Sequence, residues 1–306
     1  EVKLVIKNRF SRALKTSISI AGAPAREYSW SPLESRTIDY KLKQPISYDK
    51  FNNVVIPVAV KTENGKQFSR KFSFSILPVK YSGNQVDWQK IPAVEIPYVG
   101  LERLAQRQHL KYAGKNDLNA KLQLAWNKDK LFVRITVKDD KIVLPPKGTP
   151  PGRLYTYEGV QLFFDAFYDA PLKFNEGIIG YDSNDFSYEM LPVSTDKAIT
   201  YRRLAPDIQF TGGALDPFLS DITVPEIKCI FSAKGNRRIY QTTFSQHFLK
   251  PLQLSAENSF GLAVKVMDRD APAPAPCKLN ACNIPQVNGD PFRKPHLYSQ
   301  ILLVGK

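Results

Sequence analysis

Cysteine and histidine are nearly absent, with three of each in 306 residues. Two of the cysteines, Cys277 and Cys282, share a loop with no neighbouring histidine or second cysteine pair, so a tetrahedral zinc site cannot be completed there. The histidines, His109, His247 and His296, sit in proline-containing or polar stretches rather than beside a serine or cysteine nucleophile. There is no Gly-x-Ser-x-Gly elbow, no phosphate-cradling glycine-rich loop and no His-Glu-x-x-His pair. Among 29 acidic residues nothing selects a glycosidase pair. The chain is therefore read as a non-enzyme. No apolar run approaches the roughly 20 residues needed to span a bilayer. No basic helical stripe or RNA-binding aromatic motif marks a nucleic-acid binder. Helical patterns are also scarce, confined to Val99–His109 and a turn at Ser245–Leu249.

What is present is alternation. Short segments of period two are separated by turns rich in 23 prolines and 16 glycines, which points to an all-β protein. A hydrophobic content of 43% supports real cores. The chain carries 43 basic and 29 acidic residues, a net charge of +14. Residues 1–82 alone hold 15 Lys/Arg against 6 Asp/Glu, so most of the excess sits in the first quarter, as a solvated Lys-rich strand face or a docking surface for an anionic partner.

At this length two domains are expected. The first covers residues 1–80, with strands at Val2–Ile6, Ser17–Ile20, Arg36–Leu42, Val54–Val60 and Phe68–Leu77. Asn64-Gly65 lies between the last two, a strong hairpin signal. In the final strand Phe68, Phe72, Phe74 and Ile76 are expected to face inward. Five short strands in about 80 residues suggest an immunoglobulin-like sandwich serving as spacer or docking module. Residues 81–84 are read as a linker, and residues 85–306 as a second, larger sandwich. The chain opens directly on a strand pattern, so a signal has been removed or the chain is a piece of a larger polypeptide.

Two segments of the second domain are most informative. In Trp126–Asp140, Leu131, Val133, Ile135 and Val137 alternate with Phe132, Arg134, Thr136 and Lys138. In Tyr157–Asp165, Val160, Leu162 and Phe164 alternate with Gln161, Phe163 and Asp165. Both are strands with one face in a core. Cys229 falls on the apolar side of its strand with Ile227 and Phe231 and reads as a buried thiol. Cys277 and Cys282, five apart in a loop without periodicity, read as a local disulfide, which places the protein in an oxidising compartment.

The turn and strand at Trp126, the strand at Tyr157, Asp87-Trp88 before them, and the later segments Tyr188–Pro192, Arg238–Phe244, Phe260–Asp270 and Leu297–Val304 resemble, in order and spacing, the family 9 carbohydrate-binding modules. The resemblance spans about residues 85–306. It implies a jelly-roll-like sandwich that binds a glycan between two aromatic side chains backed by polar groups. Tyr155 and Phe292 are the nearest matches to those aromatics, with Tyr157 beside the first. Trp88 and Trp126 fall on structural positions. The family's strand acids are replaced, its Glu by Gln161 and its Asp by Glu158. Gln161, Arg202, Arg203 and Arg293 then supply the polar contacts, and the charge of Arg202, Arg203, Arg269, Arg293 and Lys294 favours an anionic glycan. The family's usual ion is calcium, for which Asp139, Asp140, Asp268 and Asp270 offer strand-end oxygens. The implied protein is secreted or cell-surface, a non-catalytic accessory of a larger polypeptide. Two other readings stand beside it: a haem-b electron-transfer sandwich, with a Met and a His or Lys as axial ligands and Met190 and Met267 as the only methionines, and a purely structural surface protein.

Overall fold

A computed structural model of the chain describes residues 2–41, 53–96, 114–170, 181–206, 222–270, 278–281 and 295–305. The protein is all-β. It divides into two compact units, Glu1–Ile76 and Leu77–Lys306.

The first unit contains β1 (Val2–Lys7), β2 (Leu14–Ile20), β3 (Arg26–Trp30), β4 (Ser35–Tyr40), β5 (Asn53–Thr62) and the first part of β6 (Gln67–Lys80). β1 and β4 form one antiparallel pair, and β6, β5, β2 and β3 lie in that order in a second sheet. The turn between β5 and β6 places Gly65 at a φ of +80°, a conformation that costs glycine nothing. Leu4, Ile18, Trp30, Val54, Ile56 and Val58 fill the interior. The Trp30 indole donates to Thr16 Oγ1 at 2.8 Å, which satisfies its buried N–H. Phe68 departs from the inward position expected of it: it is 57% exposed. The expected linker also differs. β6 runs unbroken through the unit boundary, and the segment after it is bonded into the second unit, where Tyr81 N–H donates to Val304 O at 2.9 Å and Ser82 N–H to Trp126 O at 2.6 Å.

In the second unit one sheet has the order β14 (Cys229–Lys234), β15 (Arg237–Ser245), β9 (Lys130–Asp139), β8 (Leu118–Trp126), β7 (Val94–Ile96). The other runs β13 (Ile222–Thr223), β12 (Ala198–Leu204), β11 (Asp185–Pro192), β10 (Gly159–Asp165), β16 (Ser259–Asp268), β18 (Ser299–Val304), with β17 (Lys278–Ala281) also beside β16. Leu122, Trp126, Val133 and Ile135 from the first sheet meet Val160, Leu162, Phe164, Tyr188 and Val264 from the second in one core. At its centre Phe164 stacks on Phe186, ring centroids 4.8 Å apart. The alternation read in β9 and β10 therefore assigns the core faces correctly. The opposite face of β10 is covered as well, since all seven of its residues are buried. A short helical turn, Gln246–Leu249, follows β15, whereas the helix expected at Val99–His109 lies outside the described residues.

A fully buried arginine ties the two sheets. Arg238, on β15, pairs with Asp139 on β9 at 2.5 Å and with Glu158, the residue before β10, and it donates to Met267 O on β16 at 3.4 Å. All three ionised side chains are excluded from solvent. Glu158 Oε1 in turn accepts the N–H groups of Val143 and Arg269, each at 3.2 Å. Removing the cation alone would strand two carboxylates in the interior. Arg238→Met should therefore lower the unfolding free energy by about 3–5 kcal/mol, measured by urea titration, and a loss under about 1 kcal/mol would show the network to be dispensable.

Cys229 is half-buried against the core rather than fully enclosed. Burial nevertheless pushes its thiol up to about 11, against the opposing hydrogen bonds of Thr242 and Gln241. Since only the thiolate attacks alkylating reagents, native protein at pH 8 should react with iodoacetamide at Cys229 far more slowly than urea-unfolded protein, a difference readable by mass spectrometry. Cys277 and Cys282 lie outside the described residues.

Candidate functional site on the outer sheet face

Strand register assembles a polar row on the face of the β10 sheet that points away from the core. Gln161 lies directly opposite Glu189 on β11 and Lys265 on β16, and Glu189 lies opposite Tyr201 on β12. Arg203, at an irregularity in the β11–β12 pairing, reaches the same face, as its bonds to Glu189 show. Gln161 Nε2 donates to Glu189 Oε1. Arg203 grips both oxygens of that carboxylate, Nε to Oε1 at 3.2 Å and Nη2 to Oε2 at 3.0 Å, the planar two-point pairing suited to a guanidinium. Glu189 is buried beneath its partners.

The loop before β10 lies over this row. Its helical turn, Pro151–Thr156, inserts Leu154 between Leu191, Tyr201 and Met267. Gly159 opens β10 where a Cβ would come within 2.8 Å of Met267 Cε and 3.1 Å of the Met190 carbonyl oxygen, so only glycine lets the strand pass so close to its neighbours. Anchoring through Leu154 leaves the adjacent Tyr155 at the rim, 45% exposed. The Arg203 guanidinium sits between two rings, 5.0 Å from the centre of Tyr155 and 4.8 Å from that of Tyr201. The face thus presents the exposed Tyr155 ring and the partly exposed Arg203 guanidinium, held over the buried Tyr201, Gln161 and Glu189. That is the combination needed to cover the C–H surface of a pyranose and to bond its hydroxyls.

Of the residues proposed from sequence, Tyr155, Gln161 and Arg203 are brought together. Tyr157 is buried, with Arg269 over its ring at 5.0 Å. Arg202 lies on the opposite, core face of β12, buried beside Tyr188, so it does not reach a ligand on the Gln161 face: one step along a strand reverses the side chain. Phe292 and Arg293 lie outside the described residues. Glu189 and Tyr201 were overlooked as site residues, although the alternation in Ser187-Tyr188-Glu189-Met190-Leu191 sets Glu189 on the same face as Leu191. Met190 is in the core, its sulfur accepting from Thr242 Oγ1 at 2.8 Å, and Met267 packs on the outer face.

The four aspartates proposed for a metal fall in two groups that share Asp270. Carboxylate oxygens of Asp139, Asp268 and Asp270 lie within 4.8 Å of one another, as do those of Asp117, Asp140 and Asp270. Asp117 was not foreseen, and β8, pairing Leu118 with Asp139, delivers it. Asp139 Oδ1 accepts the Lys141 N–H at 2.8 Å. Burial raises the Asp139 carboxyl above the usual range, against the pull of the Arg238 charge. A set made only of carboxylate oxygens suits a hard divalent ion with oxygen ligands. Asp165 stands apart from this group, opposite Asp185 at the other end of β10.

No protein-family model matches the sequence, and no curated protein matches it. The fold has clear counterparts among solved structures. A family 9 carbohydrate-binding module from Caldicellulosiruptor kristjanssonii solved with cellotriose matches at a TM-score of 0.50 and 15% identity, over 76% of this chain and 94% of that one. The same kind of module from that organism solved with glucose gives 0.51 and 16%, over 76% and 96%. A protein from Bacteroides uniformis ATCC 8492 described as carbohydrate-binding gives 0.50 and 9%, over 75% and 99%. These matches take in nearly the whole of each counterpart but only three quarters of this chain, and they show that it contains a fold like that of the family 9 carbohydrate-binding modules.

Proposed function

We propose that the protein is a non-catalytic glycan-binding module that takes an oligosaccharide on the outer face of its second unit, with Tyr155 as the aromatic surface and Arg203 as the hydrogen-bonding group, both held in place from beneath by Tyr201, Gln161 and Glu189. The observation that carries this reading is the exposed Tyr155 ring fixed over the Gln161–Glu189–Arg203 network, on a fold shared with proteins solved with cellotriose and glucose. The anionic preference inferred from sequence loses its basis at three of its arginines. Arg202 is in the core, Arg203 is paired with Glu189, and Arg269 donates from Nε to Thr156 O at 2.6 Å. Recognition by hydroxyl hydrogen bonds and ring stacking follows, with little dependence on salt.

The first unit, with no comparable cluster among its described residues, is read as an immunoglobulin-like spacer or docking module, and the whole as an extracellular accessory of a larger polypeptide. Such a module raises the local concentration of an attached partner on its glycan. No helix among the described residues is long and apolar enough to cross a membrane. Calcium is the ion proposed for Asp139, Asp268 and Asp270, with Asp117 and Asp140 beside them; when bound it would neutralise clustered carboxylates and brace the strand ends.

Two outcomes test the reading. In affinity electrophoresis against soluble β-glucans, Tyr155→Ala should weaken retention by about tenfold or more with an unchanged melting temperature; retention equal to that of the unaltered protein would remove the site from this face. Calcium at about a hundredfold its dissociation constant should raise the melting temperature of chelator-treated protein by roughly 5–10 °C, and Asp270→Asn should erase most of that rise. An identical response in the variant would place any bound calcium elsewhere.

A further inference from the structure

The first unit carries an open apolar groove that the glycan-binding reading does not use. Its volume is about 550 Å³. Leu4 and Ile6 of β1 form one wall, and Val58, Val60, Phe68 and Phe72 of β5 and β6 form the other. Two large apolar side chains at its mouth remain in water, Val5 at 70% and Phe68 at 57% exposure. Consecutive residues of β1 line it, including both the inward Leu4 and the outward Val5. The groove therefore follows the edge of that strand rather than one of its faces. Among the described residues β1 pairs with β4 alone, so its second edge carries a row of backbone donors and acceptors that another strand can use.

Charge selects the occupant. The groove is flanked by Lys7 and Arg70, both exposed, and its lining includes no acidic residue. The unit as a whole holds 14 Lys/Arg against 6 Asp/Glu. A second copy of this chain would bring an equally basic surface to the same place and be repelled. A sugar would find an apolar cleft with few groups for its hydroxyls. We infer that the groove along β1 is a docking site for an extended acidic segment of a partner protein, which adds as a strand to the free edge of β1, directs alternate apolar side chains into the groove and leaves Asp or Glu side chains beside Lys7 and Arg70. The apolar positions supply burial, the backbone ladder supplies affinity and the acids supply orientation and association rate.

The test uses the full chain and three fluorescein-labelled peptides of equal length: alternating valine and glutamate, alternating valine and lysine, and the valine–glutamate peptide N-methylated at every second residue. Fluorescence anisotropy should show binding of the first, weakening as salt rises. The lysine peptide should not bind, and the N-methylated one should bind at least about tenfold more weakly because its ladder is broken. Val5→Asp and Phe68→Asp should each abolish binding without lowering the melting temperature, since both side chains are already in water. Equal binding of the N-methylated peptide would overturn strand addition. Equal binding of the lysine peptide would overturn the charge assignment, and unaltered binding by both variants would overturn the location. A dimer in sedimentation that either variant dissociates would make the occupant a second copy and overturn the proposal. Glycan retention is measured on the same variants, so failure here is separate from failure of the Tyr155 face.

Discussion

The second unit depends on one buried cation. Arg238 reaches from the start of β15 to Asp139 on the strand beside it and across to Glu158 at the entry of the other sheet. Ionised groups in an interior are costly unless each meets its opposite, so this contact fixes more than two charges. Glu158 can be held there only if its remaining oxygen is also satisfied, and the N–H groups of Val143 and Arg269 do this. Two loops distant in sequence are thereby brought to one carboxylate. Arg269 then returns to Thr156 and covers Tyr157, which sets the base from which Tyr155 projects.

From that base the outer face is assembled by register. Gln161, Glu189 and Tyr201 are neighbours because three antiparallel strands place them opposite one another, and Arg203 joins them at an irregularity in the β12 pairing by gripping the Glu189 carboxylate. Loop packing does the rest: Leu154 is the anchor and Tyr155 the consequence. The acidic group at Asp139, Asp268 and Asp270 grows from the same constraint, since Asp139 is both a partner of Arg238 and a member of the cluster.

Much of this was legible in the sequence. Period two in β9 and β10 assigned core and outer faces correctly, because a strand with one face in a core has little freedom to do otherwise. Asn64-Gly65 fixed a hairpin through a local backbone preference. Tyr155 and Gln161 could be singled out through the resemblance to the family 9 modules, and Arg203 as a basic neighbour of that pattern. What escaped was non-local or set by a single step. Arg202 and Arg203 are indistinguishable until the strand's phase is known. Glu189 and Tyr201 become site residues only when β11 and β12 are set beside β10. The burial of both faces of β10 arises from loops, whose paths carry no periodicity. Phe68 looked like a core residue by alternation, yet no described strand covers it.

The clamp on Arg203 has a thermodynamic consequence. An arginine side chain free in solution explores many rotamers, and fixing it costs up to about 2 kcal/mol in conformational entropy. Here two tyrosine rings and a bidentate carboxylate impose that restriction during folding. A ligand arriving on this face meets a guanidinium already immobile, so the ordering cost is charged to the fold rather than to the complex. The same rigidity limits breadth: a face that does not readjust accepts ligands whose hydroxyls match its donors and acceptors as they stand.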